Sequence, residues 1–334
     1  MYRIDMGIDL GTSKVCVYMR DKGIVINQPS VLAYERKEKR IIAVGKKAKR
    51  MLGKTTEDIV VAKPIRNGVI SEYALAERMI KAFVKNALRK RRILGRPNIC
   101  VAVPQGITEV ERRAVEDAIV KTGAKEVFLL ESPIAAALGT GVDIMETMGH
   151  MIVDIGGGTT DIAVISAGDI SYGVSLKVGG DDFTEAISRY VRRKYSIELG
   201  EQTAEDAKIE IASVVKRSVD SSYEIKGKNM MSGLPVRLDL SANETVEALE
   251  EITSQILDGI VQVIEKAEPE LVADIGKEGI LLSGGGSLIY GMDRLISDKT
   301  GIRTVISDEP ENVVAAGAGM AGEYIMVQDE EDRK

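Results

Sequence analysis

The stretch Val153-Asp154-Ile155-Gly156-Gly157-Gly158-Thr159-Thr160-Asp161 constrains this chain more than any other. It joins an apolar approach, one acid, three glycines, a pair of hydroxyls and a second acid. Met151, Ile152 and Val153 lead in, and Ile162, Val164 and Ile165 lead out, with the β-branched composition of a half-buried hairpin. Successive residues without a Cβ let the backbone take positive φ and bring its N–H groups close to an anion. A strand, a turn of phosphate size and a return strand are therefore expected. An isolated triple glycine also fits a plain hairpin with no ligand.

A partial copy near the N-terminus favours the phosphate reading. Ile8-Asp9-Leu10-Gly11-Thr12-Ser13-Lys14-Val15-Cys16-Val17-Tyr18 sets an acid, a small-residue turn and a β-rich return in the same order. Two turns of one design predict a duplicated domain. A third turn follows the strand-like run Ile280-Leu281-Leu282-Ser283, as Gly284-Gly285-Gly286-Ser287. Three such turns are what two facing domains need to hold a nucleotide, the first two on the phosphates and the third against the nucleoside.

At 334 residues the chain is long enough for two domains with separate cores. A net charge of −6 and the absence of Trp argue against nucleic acid, which favours a basic footprint or stacking platforms. Cys16 and Cys100 lie in apolar runs and read as buried, reduced thiols of a cytosolic protein. With His150 as the lone histidine, read as a strand-edge residue, zinc sites and histidine triads lack material. The N-terminus has no apolar signal core, and no uninterrupted run is long enough to span a bilayer.

Between the turns, apolar runs at 24–26, 30–34 and 41–44 read as strands, with 35–40 as a solvated turn. Leu75, Met79, Ala82, Phe83 and Ala87 recur at helical spacing, and 99–103 reads as a buried strand. Thr108 with Glu111 forms a capping box for a helix stopped by Gly123. Strand 127–130 feeds a helix at 134–138. Helices are expected at 182–195 and at 204–216, the latter capped by Thr203 with Asp206, and a strand at 236–240. Ser241 with Glu244 opens a long helix carrying Val246, Leu249, Ile252, Ile256, Ile260 and Ile264. Residues 329–332 read as a frayed acidic tail.

With these stretches assembled, the chain resembles the MreB family of bacterial actin-like, rod-shape-determining proteins, over roughly residues 5–322. The resemblance is carried by Gly7-Ile8-Asp9-Leu10-Gly11-Thr12, Asn27-Gln28-Pro29-Ser30-Val31, Gly68-Val69-Ile70, Thr108-Glu109-Val110-Glu111-Arg112-Arg113-Ala114, the 154–160 turn, Val178-Gly179-Gly180-Asp181, Thr203-Ala204-Glu205, Lys208-Ile209-Glu210-Ile211 and Leu282-Ser283-Gly284-Gly285-Gly286-Ser287-Leu288. It implies an α/β, actin-like fold of two duplicated ribonuclease-H-like domains with a nucleotide cleft between them. The first domain would cover 1–148, with a small subdomain at 34–70 and a returning C-terminal segment at 320–334. The second would cover 149–319, with a small subdomain at 182–243.

By position, the resemblance implies ATP or ADP phosphates on Gly11, Thr12, Ser13, Lys14, Gly156, Gly157, Gly158 and Thr159, with Gly180 nearby. Glu205 and Lys208 would reach the ribose or base, unless they form a solvated helix face, and Gly284, Gly285, Gly286 and Ser287 would meet the adenosine. Asp9 and Asp154 would hold Mg²⁺ through water, since that ion keeps much of its hydration shell. Two departures stand out. Where the family reads Glu-Glu-Pro, this chain has Glu131-Ser132-Pro133, and a hydroxyl is a poor general base near neutral pH. Ser132 reads equally as an N-cap with Pro133 at the first helical position, and Glu131 is a possible substitute base. Lys14 stands where the family has a short amide, placing a cation near the phosphates.

The resemblance also implies self-assembly into filaments at the inner face of the cytoplasmic membrane, in contact with cell-wall synthesis or shape proteins. The membrane contact would be Ile93 and Leu94, flanked by Arg89, Lys90, Arg91, Arg92 and Arg96. The same basic run also reads as a helix C-terminus with favourable cations. A non-polymerising nucleotide-binding scaffold is the alternative that Ser132 favours. Chaperone- and kinase-type ATPases of the same superfamily are weaker alternatives, because no substrate domain or acceptor-site insertion is visible.

Overall fold

The computed structural model describes residues 3–89 and 95–331 of the chain. The N-terminal hairpin becomes β1 (Met6–Leu10) and β2 (Lys14–Met19), joined by β3 (Gly23–Pro29), β4 (Asn98–Val103) and β5 (Glu126–Glu131). Their order across the sheet is β3-β2-β1-β4-β5, antiparallel through β3, β2 and β1 and parallel from β1 through β5.

The central hairpin founds a second sheet on the same plan. Its strands are β6 (His150–Ile155), β7 (Thr160–Ser166), β8 (Asp169–Leu176), β9 (Ile280–Ser283) and β10 (Thr304–Ile306). The order is β8-β7-β6-β9-β10, with the same parallel and antiparallel senses. Each strand repeats the role of the one numbered five earlier, so the duplication inferred from two turns extends to whole sheets.

Strand alternation assigns the core. In β4, Ile99, Val101 and Val103 face α1 (Tyr73–Arg89) and α2 (Glu109–Val120), while Cys100 and Ala102 face the opposite way. That opposite face meets α3 (Ser132–Thr140), which lies between the two sheets together with 313–320. On the second sheet Ile152 joins this middle layer, whereas Met151, Val153 and Ile155 face α4 (Gly180–Tyr195) and the helix at 242–266. The molecule is thus layered as helices, sheet, helices, sheet, helices, each sheet buried on both faces. The middle layer is made of small residues. A Cβ on Gly317 would overlap the carbonyl oxygen of Ala135, so the two central helices pack backbone to backbone.

Both capping boxes form. Thr108 N–H donates to Glu111 at 2.8 Å and Ser241 N–H to Glu244 at 3.1 Å, the latter opening α6 (Ala242–Lys266) after α5 (Glu201–Ile211). The expected helix at 204–216 is corrected at both ends. It begins at Glu201, after Gly200 and without a Thr203 cap, and stops at Ile211 because Ser213 leaves to form a bridge with Tyr290. Val214 N–H then donates to the Tyr290 carbonyl at 3.0 Å, a contact no local pattern records.

Of the acidic residues expected to fray, 329–331 lie in a helix, since α7 (Pro269–Glu278), α8 (Met292–Thr300) and α9 (Val313–Met320) are followed by α10 (Gly322–Glu331), and Asp332 lies outside the described residues. Ile325, buried in the middle layer, anchors this helix. His150 is the first residue of β6, the strand-edge place expected of it. Two small sheets flank the cleft, one from Leu32–Glu35, Ile41–Val44 and Ile59–Ala62, the other from Ile197–Leu199, Ser222–Asn229 and Pro235–Ser241.

Candidate functional site

The three turns converge on one cleft, a cavity of about 210 Å³. Asp9, Gly11, Thr12, Ser13, Lys14, Asp154, Gly156, Gly157, Gly158, Thr159, Gly180, Glu205, Lys208, Gly284, Gly285, Gly286 and Ser132 all line it. Ser287 stands just behind, buried, its hydroxyl donating to the Gly284 carbonyl at 2.6 Å and so closing the third turn. Glu131 is not among the lining residues. Its half-buried carboxyl sits above the ordinary range through burial, opposed by a hydrogen bond from the Gly106 backbone and by Arg112. Ile93 and Leu94 lie outside the described residues.

Glycine is needed at the second turn for a different reason than positive φ. None of Gly156, Gly157 and Gly158 adopts the left-handed region. A Cβ on Gly157 would stand 2.5 Å from Ser13 Oγ, and one on Gly158 would stand 2.6 Å from Thr12 Oγ1. The requirement is room for the first turn to close against the second. Only the third turn uses left-handed freedom, at Gly284 with φ 78°.

The floor of the cleft is acidic. Pairing sets Asp9 opposite Cys16 and Asp154 opposite Asp161. Burial, then Asp154 and Asp161, push the Asp9 carboxyl up to about 7. Burial pushes Asp154 up to about 6 against a hydrogen bond from Ser283 Oγ at 2.8 Å. Asp161 rises to about 7, again mainly through burial, although it accepts from Gln105 N–H at 3.1 Å. Among the described residues no cation pairs with these three acids, so the floor has hard oxygen ligands and unbalanced charge. Burial also raises the Cys16 thiol to about 12, and both cysteines are free and buried, as expected.

Glu205 and Lys208 do not form a solvated face. Their side chains are 22% and 13% exposed and pair at 2.7 Å, with Lys208 Nζ also donating to the Gly180 carbonyl at 2.9 Å. Burial opposes ionisation of Glu205, yet Lys208 and the Thr184 hydroxyl hold its carboxyl below the ordinary range. The Ser132 expectation needs correcting as well. Glu131 is the N-cap, Ser132 the first helical residue and Pro133 the second, because β5 runs straight into α3. The Ser132 hydroxyl donates to the Val103 carbonyl at 3.1 Å.

Lys14 reaches the cleft already paired with Glu311. Glu311, Asp161, Lys49 and Pro310 are lining residues that sequence reasoning missed. For Asp161 the signal existed, as the second acid of the central stretch in register with Asp154. For the others nothing local marks them.

A sequence model of the family described as MreB/Mbl protein matches residues 3–330. The chain belongs to the MreB/Mbl family. It is 41% identical to the cell shape-determining protein Mbl of Bacillus subtilis (strain 168) over 96% of each chain. It is 42% identical to the cell shape-determining protein MreB of Escherichia coli (strain K12), covering 97% of this chain and 95% of that one. Among solved structures it is similar to MreB5 of Spiroplasma citri bound to ADP, with a TM-score of 0.91 at 37% identity, over 97% of this chain and 98% of that one. The MamK double helical filament shares the fold, with a TM-score of 0.81 at 22% identity over 95% of this chain and 98% of that one. The actin-like fold expected from the sequence is therefore the fold of this MreB/Mbl member. Among the described residues, no helix is long and apolar enough to cross a membrane.

Proposed function

We propose that this chain is an ATP- and ADP-binding bacterial actin homologue that polymerises into membrane-associated filaments organising cell shape and wall synthesis. The observation that carries the nucleotide reading is the meeting of the two turns. Backbone and hydroxyl donors of the 11–14 and 156–159 segments face each other above a floor of buried carboxylates. The solved relative MreB5 of Spiroplasma citri is bound to ADP in one structure and to AMPPNP in another, which supports the same ligand class here.

The donor set suits Mg²⁺. Asp9 and Asp154 supply hard oxygens, and their raised carboxyls are what uncompensated burial produces. Mg²⁺ keeps much of its water shell, so two carboxylates and the phosphates would be enough to hold it. A bound magnesium ion would offset the charge of the phosphate chain. Glu205, Lys208 and Gly284 to Gly286 line the same cleft, and they would meet the nucleoside.

Hydrolysis is weakened. Ser132 stands in the cleft with its hydroxyl donated to Val103, so it offers an attacking water no carboxylate base, and Glu131 is outside the lining. Loss of a positioned base typically costs about 10² to 10⁴ in rate. Phosphate release from ATP by the purified protein tests this: Ser132→Glu is expected to raise turnover about 10²-fold. Equal rates for the two proteins would overturn the assignment.

The Ile93–Leu94 segment and its basic neighbours are the proposed attachment to the inner face of the cytoplasmic membrane, with cell-wall synthesis or shape proteins as further partners. Co-sedimentation with anionic vesicles should drop in the Ile93→Glu, Leu94→Glu double variant. Negative-stain microscopy with ATP and ADP separates a filament former from a nucleotide-binding scaffold.

A further inference from the structure

Lys14 and Glu311 lie 297 positions apart, and both line the cleft. Lys14 opens β2 directly after the first turn, and Glu311 belongs to the loop between β10 and α9. That loop is tied to the third turn. Gly284 N–H donates to the Pro310 carbonyl at 2.9 Å, and Glu311 Oε1 lies 3.2 Å from where a Cβ of Gly285 would stand. The ion pair therefore runs from the first turn to the third, across the line along which a phosphate chain on one would join a nucleoside on the other. With side chains 44% and 35% exposed, it lies at the mouth of the cleft and not on its acidic floor.

We propose that Glu311 is a built-in competitor for the phosphate-facing cation, and so a residue that tempers the preference of the cleft for nucleoside polyphosphates over nucleosides, an inference that rests on the nucleotide reading above. In the empty cleft Glu311 holds Lys14. The phosphate chain of a nucleoside diphosphate or triphosphate offers Lys14 a more highly charged partner and draws it away. A nucleoside without phosphate has nothing to exchange and leaves the pair in place. Half-exposed pairs are weak, and that weakness lets a bound phosphate open this one. Glu311 acts through Lys14, and it is a positioning residue and not a catalytic one.

Binding of ADP, ATP and adenosine to the full chain, followed by fluorescence competition, tests this in four proteins: unsubstituted, Glu311→Gln, Lys14→Asn and the double variant. Glu311→Gln keeps the side-chain shape and removes the charge, and circular dichroism checks that it folds. It is expected to tighten ADP and ATP about fivefold, with adenosine unchanged. In the Lys14→Asn background the same change should have no effect, because the competition is for Lys14. Unchanged or weaker ADP binding by Glu311→Gln overturns the proposal. So does an equal tightening in the Lys14→Asn background, which would mean simple repulsion between carboxylate and phosphate. If the unsubstituted chain binds neither ADP nor ATP, the nucleotide reading itself fails and takes this inference with it.

Discussion

The turn after β1 and the turn after β6 occupy equivalent places in duplicated sheets, yet they are anchored by different means. In the first, side chains make the contacts: Thr12 Oγ1 accepts from Gly68 N–H at 2.8 Å, Ser13 Oγ donates to Asp181 at 2.9 Å, and Lys14 pairs with Glu311. In the second, bare backbone does so, with the Gly156 and Gly157 carbonyls accepting from Gly180 N–H at 2.9 Å and Asp181 N–H at 2.7 Å. The strands beneath differ too, since Asp9 faces neutral Cys16 whereas Asp154 faces Asp161. Duplication supplied one frame twice, and divergence then gave one wall adaptable side chains and the other space and charge.

The largest expected effect comes from that charge. Asp9, Asp154 and Asp161 ionise near 3.8 in the unfolded chain but only at about 7, about 6 and about 7 when folded. The folded state holds more protons between those values. Stability from these groups is therefore fully present below about pH 4 and is lost as pH rises through their folded values. Each tenfold difference in proton affinity between the folded and unfolded chain corresponds to about 1.4 kcal/mol, and because the three carboxyls act on one another their contributions do not simply add. Urea unfolding between about pH 5 and about pH 8 measures the loss. Asp161→Asn makes the second hairpin neutral opposite its acid, like the first, and should flatten the slope. An identical slope in both proteins would break the comparison.

Next comes the space. Gly157→Ala forces the turns apart and is expected to weaken ADP binding by about 2 kcal/mol, roughly 30-fold. A Cβ on Gly11 would crowd the Lys14 carbonyl of its own turn at 2.9 Å and touch the Asp9 carboxylate at 3.6 Å without meeting the facing turn, so Gly11→Ala should cost less. Isothermal titration of both variants sharpens the contrast, and equal losses would mean that closure of the two turns is not what binding depends on.

The smallest effect belongs to the link between the walls. Lys63 lies 2.5 Å from Glu201 and 3.7 Å from Asp181, partly exposed. Lys63→Ala should lower stability by less than about 1 kcal/mol, seen as a small drop in Tm without ligand. A larger drop would show that side-chain bridges, and not the meeting of the turns, hold the cleft together.

Much of the fold is legible in the chain itself. The acid-then-turn pattern locates both hairpins and the strands that carry them, and the Thr108–Glu111 and Ser241–Glu244 spacings locate two helix starts. Ser132 reads as an N-cap because serine before proline is locally favourable, but β5 delivers the chain one residue further along and makes Glu131 the cap. Three glycines in a row suggest positive φ. What they serve instead is the approach of Thr12 and Ser13 from another domain, more than a hundred residues away.

The sequence by itself determined the duplicated plan, the three turns, the acids at the ends of β1 and β6, and the buried thiols. Each rests on chemistry that acts over a few residues, such as strand alternation, capping and the loss of Cβ. Tertiary structure alone decided that Ser132 gives its hydrogen bond to Val103 and that Glu311 holds Lys14 across the mouth. Those outcomes depend on which side chains meet after distant strands and helices pack, and spacing along the chain carries no record of that.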